Sequence, residues 1–311
     1  MDPITAIAGS LVLDEYIELR GLRFHYREWA PDRADARTLV LLHGYTGHAR
    51  SWDHFAAGMT DRYRVIALDQ RGHGESGWAP ADRYGTDEMV ADLQAFVGAL
   101  ALRDYHLLGL SMGGIVSFHF AGGVRATGVG TGSADARYTG GNSAGDSGAR
   151  SDGPARLVLV DIGPELIASG AARIQDSKRA TDVFATKDEA VAQQRAANPR
   201  APDAHLRYRM ENNLMRLEDG RWTWRYDRAL RDPRNLGARD PAAGWAALAN
   251  IRVPTLLMRG GESDLLAPEV AARMVRDLPD GHFAEVAGSG HSVPLDAPEA
   301  FMAAARRFLQ G

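Results

Sequence analysis

Short apolar runs recur along the chain and give its strongest structural signal. Five of them contain few polar residues: 38–42, 64–68, 106–110, 157–160 and 253–258. Runs that do not alternate with polar positions are typical of strands covered on both faces, as in a parallel sheet. Near the start, residues 16–19 and 22–29 flank Gly21 and predict an antiparallel hairpin at a sheet edge.

Helical patterns separate these runs. From Thr86 onward, apolar positions recur every three or four residues, and Asp87 and Glu88 favour the positive end of a helix dipole. At the end of the chain, Asp296 and Pro298 open a second helical pattern. The alternation of strand and helix predicts a doubly wound, mostly parallel α/β sheet flanked by helices.

Two segments interrupt this alternation. Residues 122–154 are rich in Gly, Ser, Ala and Asp, so they carry too little apolar surface to offset the entropy of ordering, and they predict a flexible insertion. Residues 165–248 are helical in composition and lie where an α/β enzyme would place a helical lid. The expected organisation is a core of residues 1–164 and 249–311, with the lid between its two parts.

Composition narrows the classes of function. The 311 residues are 45% hydrophobic and 24% charged, which is ordinary for a globular protein. The net charge of −4 gives no basic field that would hold nucleic acid. No window approaches the roughly 20 apolar residues that span a bilayer, and the N-terminus lacks a secretory pattern. The chain has no cysteine, which excludes disulfides and thiolate metal sites, and we expect a soluble cytoplasmic protein.

A candidate nucleophile lies within residues 106–114, where an apolar run leads into a G-x-S-x-G pattern centred on Ser111 and a helical pattern follows. A serine on a sharp strand-to-helix turn has strained dihedral angles that expose its hydroxyl group. Gly109 and Gly113 remove side chains where the strand and the helix cross. At the helix N-terminus, the N–H of Met112 would be one oxyanion donor.

Three further patterns accompany this one. The glycine turn at residues 41–47, after the first core run, offers the Tyr45 N–H as a second oxyanion donor. The run at 253–258 leads to Asp264, the predicted acid that orients a histidine. His291 follows a glycine loop and precedes the last helix, so it is the predicted general base.

Together with residues 69–76 (Asp-Gln-Arg-Gly-His-Gly-Glu-Ser), these motifs resemble the α/β-hydrolase superfamily. The resemblance covers residues 15–121, 155–165 and 250 to the end, and it is loose in the lid. It implies an α/β-hydrolase fold with an eight-stranded sheet, a helical lid, and ester-like small molecules as substrates. It also implies no cofactor, and we expect no metal, no nucleic acid partner and no membrane span.

The acid has two competitors. Glu262 lies two residues from Asp264, and Asp161 directly follows the fourth core run, a position that some members of the superfamily use instead. Asp264 is the favoured residue because it ends the loop expected to carry the acid. Asp161 is the main alternative.

Other polar residues near the motifs have structural interpretations. His43 and His73 lie in glycine turns, and we expect them to hold loops through hydrogen bonds. Asp69 is expected to brace its turn by accepting backbone N–H bonds. His282 falls at the start of a predicted strand, too early in the chain to reach Ser111.

These residues predict a serine hydrolase that cleaves a carboxylic ester or a related acyl substrate, such as a lactone or thioester, through an acyl-enzyme at Ser111. Carbon–carbon bond hydrolases share the Ser-Met-Gly-Gly pattern, but they usually have asparagine and tryptophan where this chain has Leu110 and Ser292. A perhydrolase, or a slow-turnover binding or sensor protein of the same fold, is a further alternative. The motifs are shared by all of these.

One run of the predicted lid, residues 207–231, carries seven arginines interleaved with aromatic residues. A carboxylate-binding role is one interpretation, because arginine can bind a carboxylate through two parallel N–H donors. A solvated surface, with tryptophans packed on the core, is the favoured interpretation, since charged residues are mostly exposed. The residues are Arg207, Arg209, Arg216, Arg221, Arg225, Arg228 and Arg231, with Trp222, Trp224 and Tyr226.

Overall fold

The computed structural model describes residues 11–123, 125–126, 153–237 and 239–311. Most of the predicted flexible insertion at 122–154 lies outside the described residues, so that interpretation stays a prediction.

An eight-stranded sheet and a small three-stranded sheet organise the described chain. The strands are β1 (Val12–Leu19), β2 (Leu22–Trp29), β3 (Arg37–Leu42), β4 (Tyr63–Leu68), β5 (His106–Leu110), β6 (Arg156–Val160), β7 (Val183–Phe184), β8 (Leu214–Arg216), β9 (Trp222–Trp224), β10 (Thr255–Gly260) and β11 (Gly281–Val286). The large sheet has the order β1-β2-β4-β3-β5-β6-β10-β11. Its strands are parallel from β4 to β11, and β1 and β2 are antiparallel additions at one edge.

Helices follow most of the strands. They are α1 (Asp53–Ala57), α2 (Thr86–Ala99), α3 (Met112–Gly122), α4 (Ala168–Arg179), α5 (Lys187–Ala197), α6 (Asp203–Asn213), α7 (Pro241–Asn250), α8 (Pro268–Asp277), α9 (Val293–Asp296) and α10 (Pro298–Gln310), with short 3-10 turns at Ala49–Trp52, Ala81–Arg83, Arg228–Arg231 and Pro233–Leu236. Within the described ranges, no helix is both long and apolar enough to cross a membrane.

The five apolar runs are confirmed as the central parallel strands β3, β4, β5, β6 and β10. Their side chains fill two apolar layers, one on each face of the sheet. In β3, for example, Leu39 and Leu41 pack in one layer, while Val40 and Leu42 pack in the other, and all four are fully buried. Burial on both faces explains why these strands show no polar alternation.

The predicted edge hairpin is also confirmed, although β1 begins at Val12 and not at Tyr16. Arg20 and Gly21 join its two strands with φ values of 51° and 78°. A two-residue turn with both residues in the left-handed region matches the right-handed twist of the strands, and glycine adopts that region at low cost.

The sequence led us to expect a wholly helical segment at 165–248, and the structure differs from this. The segment contains α4, α5 and α6, but also the small sheet in the order β7-β9-β8. Aromatic and β-branched residues in β9 (Trp222–Trp224) favour a strand over a helix there.

Helix α7 packs closely against α3. The predicted boundary between the lid and the core, at residue 248, falls inside this helix. A Cβ atom on Gly122 of α3 would lie 2.2 Å from the carbonyl oxygen of Ala247 in α7. Only glycine permits this approach, because backbone atoms cannot give way as a flexible side chain can.

This contact predicts a stability difference between two glycine substitutions. Gly122→Ala should lower the free energy of unfolding by about 1–3 kcal/mol, because α3 and α7 must separate. Gly98→Ala, near the end of α2, is the matched control, since its Cβ would meet nothing within 4 Å. It should stabilise the protein by about 0.5–1 kcal/mol. Urea unfolding of both variants checks this, and an equal effect of the two substitutions would contradict it.

Candidate active site

Ser111 lies at the point where β5 ends and α3 begins. Its φ of 52° and ψ of −114° are unfavourable for a residue with a Cβ atom. Its N–H donates to the carbonyl oxygen of Val160 over 3.0 Å, and its own carbonyl oxygen accepts from the Ile115 N–H over 3.0 Å. The neighbouring strand and the first turn of α3 therefore hold this strained conformation in place.

The glycines that flank Ser111 are required by close backbone contacts. A Cβ on Gly109 would lie 2.4 Å from the Gly113 carbonyl oxygen, and a Cβ on Gly113 would lie 2.4 Å from the carbonyl oxygen of Leu42. Real Cβ atoms do not approach oxygen this closely, so the turn needs glycine at both positions. This confirms the steric interpretation of the G-x-S-x-G pattern.

A chain of two hydrogen bonds joins Ser111, His291 and Asp161. The Ser111 Oγ lies 3.0 Å from His291 Nε2, and His291 Nδ1 lies 2.8 Å from Asp161 Oδ2. A carboxylate only accepts hydrogen bonds, so the proton of the neutral imidazole is on Nδ1. Nε2 is then free to accept the hydroxyl proton of Ser111. This is the arrangement in which a histidine can act as a general base toward a serine.

The Asp161 carboxylate is fully buried and its two oxygen atoms have three donors. The Gly260 N–H donates to Oδ1 over 2.9 Å, and the Ser263 hydroxyl donates to Oδ2 over 2.6 Å, beside the bond from His291. Asp161 directly follows β6, with a φ of 50° that turns its side chain toward the end of β10. These donors compensate for the loss of water around a buried charge.

The structure corrects the prediction that Asp264 is the acid beside the histidine, because the partner of His291 Nδ1 is Asp161. The Asp264 carboxylate accepts two hydrogen bonds from Arg173 of α4, at 2.6 and 2.8 Å, and its side chain is 43% exposed. That arginine holds the pKa of the Asp264 carboxyl below its usual value. Glu262, the other alternative, pairs with Arg200.

The two residues predicted to supply oxyanion donors are Met112, next to Ser111 in the chain, and Tyr45, which lines the same cavity. Met112 is the first residue of α3, so its N–H has no acceptor within the helix. Gly44 packs on the serine itself, because a Cβ there would lie 3.2 Å from Ser111 Cβ. Tyr45 follows Gly44 and lines the same cavity as Ser111. The roles of both N–H groups stay a proposal.

The other polar residues of the motifs hold loops, as predicted. His43 Nδ1 contacts the Gly44 carbonyl oxygen at 2.9 Å, and its Nε2 accepts from the Gln70 N–H over 3.0 Å. His73 Nδ1 lies 3.0 Å from the carbonyl oxygen of Arg71. Asp69 accepts the N–H groups of Ala49 and Glu75, at 2.5 and 2.9 Å.

The Ser111 hydroxyl and the His291 imidazole face a cavity of about 480 Å³ between the sheet and the 165–248 segment. A volume of this size suits a small molecule. Its wall combines polar side chains with aromatic and aliphatic ones, and the latter include Trp52, Phe55, Leu110, Trp224, Tyr226, Leu295 and Phe301.

A group of metal-ligating side chains lies at the same cavity. His54, His205 and Glu299 place one ligand atom each within 4.8 Å of one another, and both histidines line the cavity wall. Two imidazoles and a carboxylate are ligands that a zinc ion accepts. These three residues could hold a divalent metal ion, although nothing in the Ser111–His291–Asp161 arrangement requires one.

Six of the seven arginines between 207 and 231 contact a carboxylate, a hydroxyl or a carbonyl oxygen. Arg207, Arg221 and Arg228 pair with Asp188, Asp219 and Asp182. Arg216, Arg225 and Arg231 donate to backbone carbonyl oxygens, and Arg231 also donates to the Tyr226 hydroxyl. The favoured interpretation, a solvated lid surface, describes the four that are exposed: Arg207, Arg216, Arg221 and Arg228. Arg209 differs.

Comparison with known proteins agrees with the fold and gives the class of protein. The chain belongs to the alpha/beta hydrolase family, whose sequence profile matches residues 39–305. It is 30% identical over 298 residues to an N-formylmaleamate deformylase of Pseudomonas putida, covering 94% of this chain and 95% of that protein. It is 29% identical over 302 residues to a 3-hydroxybutyrate-oligomer hydrolase of Cupriavidus necator, covering 93% of each.

A solved structure gives the same result for the fold. An alpha/beta hydrolase of Novosphingobium aromaticivorans superposes with a TM-score of 0.78 at 24% identity, covering 96% of this chain and 98% of that one. The expected α/β-hydrolase fold, with its eight-stranded, mostly parallel sheet, is confirmed. The protein is a hydrolase of this family.

Buried histidines make the stability of the protein sensitive to acid. Burial lowers the pKa of His43 and His106 to about 3, and that of His48 and His73 to about 4. Their pKa is near 6.5 in the unfolded chain. As the pH falls below 6.5, the unfolded chain therefore takes up protons before the folded one does.

The free energy of unfolding should consequently fall between pH 6.5 and pH 5, by up to about 1.4 kcal/mol per pH unit for each such histidine. His106 lies far from Ser111, at the start of β5, so His106→Leu tests this without altering the site. The variant should show a shallower pH dependence of the urea midpoint than the wild type. His282→Leu, at an exposed position, is the control. An unchanged slope in the His106 variant would rule the explanation out.

Proposed function

We propose that the protein is a serine hydrolase that cleaves a carboxylic ester, or a related acyl compound, through an acyl-enzyme at Ser111. The observation that carries the proposal is the pair of hydrogen bonds from Ser111 Oγ to His291 Nε2 and from His291 Nδ1 to Asp161 Oδ2. Asp161 takes the role that the sequence had suggested for Asp264.

In the first half of the reaction, the Ser111 oxygen attacks the carbonyl carbon of the substrate while its proton passes to His291 Nε2. The imidazolium that forms keeps its Nδ1–H directed at the Asp161 carboxylate, which stabilises the positive charge. The bond from carbon to the leaving group then breaks. The leaving oxygen takes the proton from His291 Nε2, and the acyl group stays on Ser111.

In the second half, a water molecule attacks the acyl carbon and gives a proton to His291 Nε2. The bond to the Ser111 oxygen breaks, and that oxygen recovers the proton. The N–H groups of Tyr45 and Met112 would hold the negatively charged oxygen of each tetrahedral intermediate. A donor of this kind lowers the barrier by about 3 kcal/mol.

The similar proteins support an acyl substrate of small size. One relative is named for oligomers of 3-hydroxybutyrate, whose units are joined by esters, and another for N-formylmaleamate, an N-acyl compound. Ester and N-acyl carbonyls are both attacked by an activated serine. The aromatic and aliphatic side chains of the cavity wall can contact the apolar parts of such a substrate.

Replacement of the nucleophile tests the proposal directly. Ser111→Ala should lower the turnover of aryl esters and lactones by about 10⁴-fold or more, because the bond to the acyl group can no longer form. Labelling of the wild type with a fluorophosphonate, followed by peptide mass spectrometry, should place the adduct on Ser111. Comparable turnover in the variant and the wild type would refute the assignment.

The two candidate acids give a matched pair of substitutions. Asp161→Asn should lower kcat by about 10⁴-fold, because an asparagine amide can donate to Nδ1 and so favours the wrong imidazole tautomer. Asp264→Asn should change kcat by less than about tenfold, since it weakens only the exposed pair with Arg173. Steady-state kinetics with one aryl ester decides between them. A larger loss in the Asp264 variant would restore the interpretation drawn from the sequence.

A further inference from the structure

Helix α6 presents one face to the cavity that contains Ser111. Counted from the first residue on this face, the others follow at three, four and eight positions, which is the spacing of one side of a helix. They are His205, Tyr208, Arg209 and Asn213.

Arg209 on this face has no partner of its own among the described residues. Its Nε is buried without a hydrogen-bond acceptor, and no carboxylate of the described chain lies within ion-pair distance of its guanidinium. The other two arginines that line the cavity are both paired: Arg173 with Asp264, and Arg50 with Asp14. Among the arginines of the described cavity wall, Arg209 is therefore the one without an ion-pair partner.

Asp296 is the acid whose charge Arg209 feels, but it does not form an ion pair with the arginine. Its Oδ2 accepts the Gly290 N–H over 2.9 Å, and its Oδ1 is buried without a donor. The two side chains attract each other through space, and the attraction offsets only part of the loss of solvent at Arg209. Among the described residues, no carboxylate is therefore bonded to the guanidinium.

Burial without a partner is costly for a guanidinium, which stays charged because its unperturbed pKa exceeds 12. Burial lowers the pKa of Arg209, which reflects the same loss of solvent. The group that best satisfies a planar guanidinium is a carboxylate, which accepts two parallel N–H bonds. Since Arg209 and Ser111 line one cavity, a single small molecule can reach both.

We propose that the substrate carries a carboxylate, which binds to Arg209 while its ester or related carbonyl lies at Ser111. This inference rests on the proposed hydrolase function and narrows it to acidic acyl substrates. The arginine would act as a specificity residue that fixes one end of the substrate, and the apolar wall would contact the part between the carboxylate and the carbonyl group.

Paired esters that differ by one carboxylate test the inference. For the acyl side, the pair is 4-nitrophenyl pentanoate and the mono-4-nitrophenyl ester of glutaric acid; for the alcohol side, it is phenyl acetate and 4-acetoxybenzoate. In the wild type, kcat/KM should favour the acidic member of at least one pair. In Arg209→Gln, the ratio of acidic to neutral kcat/KM should fall by about 10²-fold, because two charge-assisted hydrogen bonds are lost.

Two further variants make the result specific. Arg207→Gln removes a charge two residues away on α6, at an exposed position paired with Asp188, and should leave the ratio unchanged. Arg209→Lys keeps the charge without the planar fork, so it should recover only part of the ratio. An unchanged ratio in Arg209→Gln for both pairs, while hydrolysis still depends on Ser111, would overturn the inference and leave the proposed function intact.

If no ester is hydrolysed in a Ser111-dependent way, the proposed function fails, and binding alone then tests the anion site. Glutarate should raise the melting temperature of the wild type but not that of Arg209→Gln. The absence of a glutarate effect on the wild type would overturn the site.

Stability without any ligand gives an independent readout. Arg209→Met removes a partly buried charge that has no ion-pair partner among the described residues and keeps the apolar stem, so the melting temperature should stay the same or rise. A fall of several degrees would instead assign Arg209 a structural role, and it would count against the site.

Discussion

The geometry of the Ser111–His291 pair depends on one buried charge, the carboxylate of Asp161. A fully buried carboxylate is tolerated only where donors surround it, and here the donors come from three parts of the chain: the end of β10 at Gly260, the loop after it at Ser263, and the loop that carries His291. The hydrogen bonds to Asp161 therefore join the carboxyl ends of β6 and β10 to the loop that carries His291. The imidazole receives its position and its tautomer from the same interaction.

Strain at Ser111 and close packing beneath it are two consequences of one arrangement. A positive φ at a serine persists only where the surroundings fix it. Gly109 and Gly113 allow β5, α3 and β3 to approach at backbone contact, which leaves the turn little room to relax. The position of the hydroxyl at the cavity thus results from sheet and helix packing, and Asp161 determines only where its histidine lies.

The sequence predicted most of the fold because the relevant signals are local. Apolar runs mark strands covered on both faces, and each of the five became a core strand. The glycines at 109 and 113 marked the turn at Ser111, because this signal is also local in the sequence. The acid could not be resolved in this way, because Asp161 and Asp264 each follow a core strand, and only the sheet order shows which strand is adjacent. In that order β6 lies beside β5, one strand closer to Ser111 than β10.

The arginines of the 165–248 segment show the same limit of sequence reasoning. Composition alone gives the seven between 207 and 231 the same interpretation, since each is a charged residue in a run that also contains aromatic residues. Arg207 and Arg209 lie two residues apart on one helix, which points them to different sides: the first to an exposed pair with Asp188, the second into the cavity wall. Arg173 received its carboxylate from the chain itself, at Asp264. At Arg209 the described chain supplies none within bonding distance, and a site that leaves such a charge uncompensated gains specificity for an anionic ligand at the expense of stability.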